Sequence, residues 1–346
     1  MPTTNCPTSR RPEFCLWAAL MIGWSLSGFA ATATAVTLTT NSGVTEIQSA
    51  LDALPPGGEV YLAAGVYEIT RPLLMQHDHT TLRGSGRSTV LRLADNADCP
   101  VIILGPSLRE PERTATHLQL SSLVIEGNRA NQSVEYWRSA SDGSVFNNNG
   151  IEAWHVADTV IEHVVCRSCR SGGIVLVQAR RLHLNDFASY NNQFDGLACY
   201  QTEDCRFNNL DLHDNLAAGI SLDLEFAHNS ISNALLSGND LGIFMRASSE
   251  NSFRDVTVRS SRHHGVFMAQ TAVETAAGWR STPGTECIGN DFQDLAISDS
   301  GGQAFRVNDA TCIDNVISGG RFERNALGGL SEPLAALVST RALVER

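Results

Sequence analysis

Lysine is absent from this sequence: all 25 basic side chains among its 346 residues are arginine. There is therefore no lysine to form a Schiff base, act as a general base or sit in a phosphate-binding loop. The 37 acidic residues outnumber the arginines and give a formal charge of −12. A nucleic-acid-binding protein of this size is normally basic, so the composition argues against that class. With 42% hydrophobic and 18% charged residues, the chain is also too apolar for disorder.

The first 35 residues have the features of a secretory signal peptide. Arg10 and Arg11 precede an apolar run that ends at Ala31, and a stretch of alternating alanine and threonine follows. A basic start, an apolar middle and a small-residue exit are typical of a cleaved signal, with a membrane anchor as the alternative. We therefore predict an exported protein, periplasmic or extracellular, whose residues 36–346 form one domain. No later segment is long and apolar enough to span a membrane.

Of the nine cysteines, seven follow the predicted signal. Export to an oxidising compartment favours disulfides, and an odd number leaves at least one cysteine unpaired or bonded to another chain. We predict one or two disulfides, with Cys287–Cys312 and Cys199–Cys205 as the best pairs. The alternative is a metal site, but Cys166-x-x-Cys169 alone lacks the second close pair and the histidines that such a site needs.

A 23-residue repeat dominates the middle of the chain. Its most regular mark is a glycine that recurs at each step, at Gly150, Gly173, Gly196, Gly219, Gly242 and Gly265. Apolar residues occupy the first and third places after each glycine, an alternation that indicates strands. Short strands at a fixed interval with Asn/Gly corners predict a solenoid. The leucine-rich-repeat pattern is missing and a propeller blade needs a longer period, so we predict an all-β fold, a single-stranded parallel β-helix with coils of about 23 residues.

The ends of the repeat fit the same interpretation. An amphipathic segment at about 44–54 is predicted to be a short N-terminal helix that caps the coils, and GGEVYLAAGVYEIT and TTLRGSGRSTVLRL follow it. This stretch resembles the entry of the pectin-lyase-like superfamily of right-handed parallel β-helices. The resemblance implies right-handed coils over about 57–325, and a polysaccharide as partner. Polysaccharide lyases, polygalacturonases and alginate-type epimerases belong to that superfamily, as do members without assigned activity. The tail, 326–346, is either a second capping helix or a loose end.

The repeat also predicts which side chains share a face. Residues one period apart stack at about the spacing of neighbouring strands, about 4.8 Å, and the second and fourth residues after each glycine point outward. Tyr200, Asp223 and Arg246 are therefore consecutive neighbours on one outer face. Glu225 is expected to point outward from the same strand as Asp223, and His228 follows shortly after. One extra residue after Glu225 indicates a bulge, a feature often found beside functional sites.

Two insertions are expected to wall this face, one between Asn128 and Phe146 and the other between Ala269 and Cys287. Long loops on a rigid scaffold commonly carry binding sites. Trp154 lies in the outward column, Trp137 lies in the first insertion and Trp279 in the second. We predict that these tryptophans bind sugar rings through their flat amphipathic faces; the alternative is that they are buried beneath the loops.

Three functions are consistent with these residues. The first is a lyase or C5-epimerase acting on a uronic-acid polymer. Arg246 would neutralise the substrate carboxylate, and Tyr200 or His228 would move the proton. Asp223 and Glu225 would orient the tyrosine or hold a calcium ion as a cofactor.

The second function is a glycoside hydrolase of the polygalacturonase type that uses Asp223 and Glu225, which lie two residues apart on one strand. The third is a non-catalytic β-helix protein that binds glycan or packs in the cell envelope. In each case we expect a monomer without a membrane span once the signal is cleaved.

Overall fold

A computed structural model describes residues 34–106, 113–133, 148–270, 272–275, 278–281, 284–331 and 338–345, with 272–275 and 278–281 described by their backbone alone. Ala33–Arg346 form one compact unit. The predicted signal peptide lies almost wholly outside the described residues.

The repeat builds a parallel β-solenoid of about 12 coils. The glycine-led strands form one nine-stranded parallel sheet. Its strands are Leu73–Met75, Ile102–Leu104, Ile151–Trp154, Ile174–Val177, Leu197–Tyr200, Ala218–Asp223, Leu241–Arg246, Val266–Ala269 and Phe305–Val307.

The remaining faces of the coils form a seventeen-stranded parallel sheet. Its strands are Ala35–Leu38, Glu59–Leu62, Gly65–Ile69, Thr81–Gly84, Thr89–Leu93, Gln119–Glu126, Val160–Arg167, His183–Tyr190, Arg206–His213, Ser230–Ser237, Ser252–Arg259, Asp291–Gln293, Ala296–Ser298, Asn315–Ser318, Arg321–Glu323, Val338–Arg341 and Val344–Glu345.

Several short elements lie at the corners between these sheets. Two-stranded parallel pairs join Ala115–Thr116 to Val156–Ala157, and Phe226–Ala227 to Ser248–Ser249. In the insertion after Ala269, Ala272–Thr275 and Gly278–Ser281 form an antiparallel hairpin. The other insertion begins with a 3-10 helix at Arg129–Asn131.

The predicted repeat is confirmed by the strand register. Ile151 pairs with Ile174, which pairs with Leu197, and the same 23-residue step continues to Val266. The first and third residues after each of these glycines point into the core, where their side chains are fully buried. The glycine itself is needed where the chain enters the strand: a Cβ on Gly196 would lie 2.8 Å from both Asn215 Nδ2 and the Gly219 carbonyl oxygen.

Asparagine side chains close one corner of the coils. Asn229, Asn251, Asn290 and Asn315, which we call the long asparagine ladder, stack one per coil. Each Oδ1 accepts the backbone N–H of the residue one coil earlier, which is Cys205 for Asn229 and a ladder asparagine for the other three. Each Nδ2 donates to a backbone carbonyl, as from Asn251 to Phe226 at 3.0 Å. The ladder thus satisfies buried backbone groups that no strand can pair.

The predicted N-terminal cap is confirmed as an α-helix at Val44–Asp52. Ile47 and Leu51 are buried in the core beneath it. Gln48 accepts the Leu74 N–H at 2.8 Å and donates to the Leu74 carbonyl at 3.0 Å. Since Leu73–Met75 is the edge strand of the nine-stranded sheet, the amide takes the place of the missing neighbour strand.

At the other end, the described part of the tail forms strands rather than a capping helix or a loose end. Within the described residues the tail contributes two further strands, Val338–Arg341 and Val344–Glu345, which pair with Asn315–Ser318 and Arg321–Glu323. The coils therefore extend beyond the predicted limit at about residue 325.

Neither predicted disulfide is present, because all seven described cysteines are free thiols. Cys199 points into the core from its strand, whereas Cys205 lies at the corner. Cys205 holds a place in line with the long asparagine ladder: its Sγ accepts the Leu182 N–H at 3.3 Å and donates to the Glu203 carbonyl at 3.3 Å. Cys287 and Cys312 are both fully buried, and their thiols hydrogen-bond to each other.

Candidate functional site

The outer face of the nine-stranded sheet brings the predicted site column together. Trp154 pairs with Val177, Val177 with Tyr200, and Tyr200 with Asp223. Arg246 follows one coil later and donates to Asp223 Oδ2 in an ion pair. The placement of Tyr200, Asp223 and Arg246 as neighbours is thus as the repeat predicts, while their functional role stays a prediction.

Most of this column is shielded from solvent. Tyr200 is 6% exposed and Asp223 is 4% exposed. Tyr200 packs with Val175, Val177 and Ala198 in an apolar cluster on the outside of the sheet, against which Trp154 is half-buried. The outer face is therefore a largely covered site, although the repeat predicts that these side chains point outward into solvent.

A cleft of about 300 Å³ opens beside these strands, and we call it the acidic cleft. Within it the small side chain of Ser221 is followed, one coil later in the same column, by the large ring of Phe244. Its lining residues are Phe194, Asp195, Tyr200, Ala217, Ala218, Ser221, Asp223, Asp240, Leu241, Phe244 and Arg246.

Asp195 is the buried acid of the acidic cleft. Its side chain accepts the Ala218 N–H at 2.8 Å and the Ser221 hydroxyl. Burial raises the pKa of Asp195 to about 7, although these two donors oppose the rise. A carboxyl group of this kind holds a proton near neutral pH and can donate it, which is the property of a general acid.

Asp223 stands on the next coil in a different environment. Besides the ion pair with Arg246, its Oδ1 accepts the Leu224 N–H at 2.8 Å. Asp240, the third acid of the cleft, lies 2.9 Å from His263 Nδ1 and 3.6 Å from Arg262 Nε. The cleft therefore combines one carboxyl group that burial favours as neutral with two that have cationic partners.

Tyr200 is a poor candidate for the base. Burial raises the pKa of its phenol well above the ordinary value, and the nearby carboxylates of Asp195 and Asp223 add to the rise. The phenol therefore keeps its proton and serves as a hydrogen-bond donor rather than as a proton acceptor.

Aromatic rings form one wall of the acidic cleft. Phe244 and Phe267 stack with their centroids 5.8 Å apart and their planes 3° from parallel. The Arg246 guanidinium lies 4.9 Å from the centroid of Phe244, a cation–π contact. Phe244 thus contacts the cleft as a flat apolar surface next to a cation, an arrangement suited to a sugar ring.

Two of the predicted site residues lie elsewhere. The strand ends at Asp223 because Leu224 and Glu225 both adopt left-handed φ values, 52° and 69°. This double turn carries Glu225 to a different cleft and His228 to the next corner, where His228 Nδ1 lies 3.2 Å from Glu250. Glu225 therefore does not accompany Asp223, and His228 is not positioned to move a proton at Tyr200. The extra residue predicted as a bulge is accommodated here, since Glu225 and Phe226 both donate to the Ala247 carbonyl.

The same turn bears on the predicted calcium ligands, since Asp223 lines the acidic cleft and Glu225 lines another; the calcium site stays a prediction. Within the described residues, no group of three His, Cys, Asp or Glu side chains is arranged to hold a metal ion. Of the three predicted sugar-binding tryptophans, Trp154 lies on the predicted face. Trp137 and the side chain of Trp279 lie outside the described residues.

Glu152 is a further buried acid on this face. It shares a column with Ser221, is fully buried, and accepts Asn149 Nδ2 at 2.9 Å and Trp154 Nε1 at 3.2 Å. Burial raises the pKa of Glu152 to about 8 despite these donors. Glu152 thereby orients the indole of Trp154 at the edge of the apolar cluster.

Sequence reasoning missed Asp195, which has a signal in the repeat. It also missed that Arg306 lies on the outer face, although Arg306 is not among the residues that line the acidic cleft. Asp195 directly precedes Gly196, and the residue before each of the other five repeated glycines is not acidic. Arg306 pairs with Phe267, so it belongs to the column of Phe244. Its distance of 39 residues from Phe267 hides this relation, because the second insertion lies between them.

The parallel coils, the asparagine ladders and the lined outer face define the class: this chain has the right-handed parallel β-helix fold of the pectin-lyase-like superfamily. A polygalacturonase from Erwinia carotovora ssp. carotovora superposes with a TM-score of 0.64 at 12% identity, over 90% of this chain and 93% of that one. The catalytic domain of a GH87 α-1,3-glucanase gives 0.68 at 11% identity, over 90% of this chain and 58% of that one. The periplasmic alginate epimerase AlgG gives 0.52 at 13% identity, over 90% and 83%.

One family model also matches the chain, that of NosD, described as a periplasmic copper-binding protein, over residues 121–275. This match covers less than half of the chain. No curated protein sequence is significantly similar to it.

Among the described residues, histidines included, no three His, Cys, Asp or Glu side chains converge as a copper site would require. Copper is bound by imidazole, thiolate and thioether groups. The four cysteines within the matched range, Cys166, Cys169, Cys199 and Cys205, are buried, and burial raises the pKa of each thiol and so disfavours the thiolate. Met245 and Met268 point into the core. No step of the chemistry below therefore involves copper.

Proposed function

We propose that this protein is an exported enzyme that hydrolyses a polysaccharide in the acidic cleft. The observation that carries the proposal is the pairing of two unlike carboxyl groups on neighbouring coils. Asp195 is buried and retains its proton to about pH 7, whereas Asp223 is ion-paired with Arg246. Enzymes that cleave glycosidic bonds use such a pair, one acid and one carboxylate.

In the proposed reaction Asp195 protonates the leaving glycosidic oxygen. Asp223 acts as the carboxylate that activates water or attacks the sugar, and Arg246 fixes the orientation of that carboxylate. Phe244 holds the sugar ring, and the phenol of Tyr200 donates a hydrogen bond to it. The three similar β-helix structures support a glycan substrate, since their names describe a polygalacturonase, an α-1,3-glucanase and an alginate epimerase.

A second candidate is a uronic-acid lyase or epimerase, which Arg246 favours. Its guanidinium is one-third exposed in the cleft and could neutralise a uronate carboxylate. The base that such chemistry requires is harder to assign, because Tyr200 keeps its proton and His228 lies at another corner.

Product analysis on a polysaccharide panel tests the proposal. New reducing ends without ultraviolet absorbance indicate hydrolysis, whereas an unsaturated uronate product indicates a lyase. We expect Asp195→Asn to lower kcat by about 10²- to 10⁴-fold. We expect the wild-type rate to fall as pH rises above about 7, because Asp195 then loses its proton. Asp211→Asn, at an exposed acid of the seventeen-stranded sheet, is the control and should keep full activity. An Asp195→Asn variant with wild-type kcat would refute the assignment.

Export is also proposed, to the periplasm or beyond. The basic and apolar first 35 residues support it, as do the periplasmic descriptions of the NosD family and of AlgG. Among the described residues no helix is long and apolar enough to cross a membrane. Cell fractionation with N-terminal sequencing of the mature protein tests export, and a cytoplasmic protein with an intact N-terminus would contradict it.

A further inference from the structure

A second and larger cleft lies just beyond the glycine-led strands, at the turn that follows each strand. Its volume is about 510 Å³, and we call it the polar groove. The residues that carry the argument are His155, Gln178, Arg180, Gln201, Glu203 and Glu225. The proposed reaction uses none of them.

The backbone makes the polar groove a regular feature. His155, Gln178 and Gln201 are the residues that follow three successive strands, and all three have left-handed φ values between 48° and 53°. Equivalent residues on neighbouring coils are about 4.8 Å apart, so the groove repeats its polar groups along the helix axis. A linear ligand that runs parallel to the axis would meet a similar set of groups on each coil.

The side chains of the groove form hydrogen bonds and keep unused capacity. Gln178 Nε2 donates to Gln201 Oε1 at 3.1 Å on an exposed surface. This bond leaves the Gln178 oxygen free to accept and the Gln201 nitrogen free to donate. Arg180 and Glu203 form an ion pair at 3.0 Å in which the arginine side chain is 64% exposed.

The polar groove differs from the acidic cleft in its charged groups. Arg180 and Glu203 compensate each other. Glu225 is exposed, and its side chain forms no hydrogen bond or ion pair with a described residue. The groove therefore has amide groups and one uncompensated carboxylate, which accept hydroxyl protons and repel an anion. Among the described residues that line it, no arginine lies beside an aromatic ring as Arg246 does.

We infer that the polar groove binds a neutral, hydroxyl-rich stretch of glycan, outside the acidic cleft. The inference rests on the proposed function only in that the ligand is a polysaccharide. Hydroxyl groups of a neutral sugar match the donors and acceptors of Gln178, Gln201 and Glu225, whereas uronate carboxylates would face Glu225. The groove would thus hold the polymer while a different segment occupies the acidic cleft.

Calorimetric titration of the full chain tests this inference. The Asp195→Asn variant prevents turnover, and the probes are neutral hexasaccharides of β-1,4-glucan, β-1,4-mannan and α-1,4-glucan, with hexagalacturonate for comparison. In this background we compare Gln178→Gly/Gln201→Gly with the parent. Glycine accepts the left-handed conformation, so the fold is kept while both amides are removed. We expect binding of at least one neutral hexasaccharide to weaken about tenfold, since two hydrogen bonds are lost.

The matched control is Asn209→Gly/Asn233→Gly, which replaces two left-handed residues on the seventeen-stranded sheet, outside the groove. It should bind as the parent does. If no neutral hexasaccharide binds, or if the double glutamine variant binds as tightly as the parent, the inference is wrong. The proposed function is judged separately, by the loss of kcat on Asp195→Asn, so either can fail while the other holds.

Discussion

The long asparagine ladder and the outer face of the nine-stranded sheet have the same coil spacing, but the spacing serves a different purpose in each. In the ladder, identical side chains stack and satisfy one another and the backbone. On the outer face, successive coils carry unlike groups, such as Tyr200, Asp223 and Arg246. Identical residues on successive coils therefore stabilise the solenoid, whereas unlike residues on successive coils form the candidate site.

The difference extends to protonation. No titratable group belongs to the long asparagine ladder, so its hydrogen bonds do not respond to pH. The outer face buries Glu152 and Asp195, and burial raises the pKa of both carboxyl groups. The following predictions test whether the two regions differ in this way.

The largest effect on stability is expected from Glu152. An unfolded glutamate releases its proton near pH 4.5, whereas folded Glu152 keeps it to about pH 8. Between these values the unfolded state gains stability from deprotonation, so the free energy of unfolding should fall by about 3 to 5 kcal/mol as pH rises. Urea unfolding at both ends of this range measures the fall.

Glu152→Gln should remove the share of that pH dependence that comes from Glu152 and leave the share that Asp195, whose pKa burial also raises, contributes up to about pH 7. Glu225→Gln, at an exposed carboxylate, should leave the whole pH dependence intact. If the wild type and Glu152→Gln lose stability equally with pH, the buried glutamate is not its source.

A smaller effect is expected where the ladder is broken. Asn251→Ala removes the acceptor for the Asn229 N–H and the donor to the Phe226 carbonyl, both buried. Leaving such groups unpaired should lower the free energy of unfolding by about 2 to 3 kcal/mol, independent of pH. Asn308→Ala, at an exposed asparagine, should change it by less than about 0.5 kcal/mol. A loss that grows with pH would contradict the distinction between the two regions.

The smallest effect is a gain, at the place where the ladder departs from asparagine. Cys205 makes weak sulfur hydrogen bonds to Leu182 and Glu203, where an asparagine would make amide bonds. Cys205→Asn should therefore raise the free energy of unfolding by about 1 kcal/mol. Thermal unfolding against the wild type measures the change, and Cys205→Ser serves as a variant that cannot extend the ladder. A loss of stability in Cys205→Asn would show that the corner is fitted to sulfur.

The sequence was sufficient for the fold because the fold is periodic. The recurring glycines and the inward pairs such as Ile174 and Leu176 fix the coil length, the strand positions and the neighbours of Asp223. The capping helix follows from its own amphipathic pattern, with Ile47 and Leu51 on the buried side. Each of these features depends on spacing alone.

Features that depend on single backbone conformations could not be predicted in this way. Alternation along ISLDLEF places Glu225 beside Asp223, but two left-handed residues end the strand and turn it away. The sequence predicts Cys205 as a disulfide partner, whereas in the structure it occupies a corner position that asparagine fills on the following coils. Asp195 could have been predicted from the sequence, because the residues that precede the repeated glycines form a column and Asp195 is its acidic member.

The independence of the coils also bears on how such a protein can change over generations. Each coil contacts chiefly the coils directly before and after it, so a tandem duplication of 23 codons would add a whole rung without disturbing the register of the others. A glycine-led rung inserted between Gly196 and Gly219 would separate Asp195 from Asp223 by one further coil. The same event elsewhere would only lengthen the solenoid. A single duplication of one coil can therefore change the spacing between Asp195 and Asp223, although the solenoid itself tolerates the added coil wherever it is inserted.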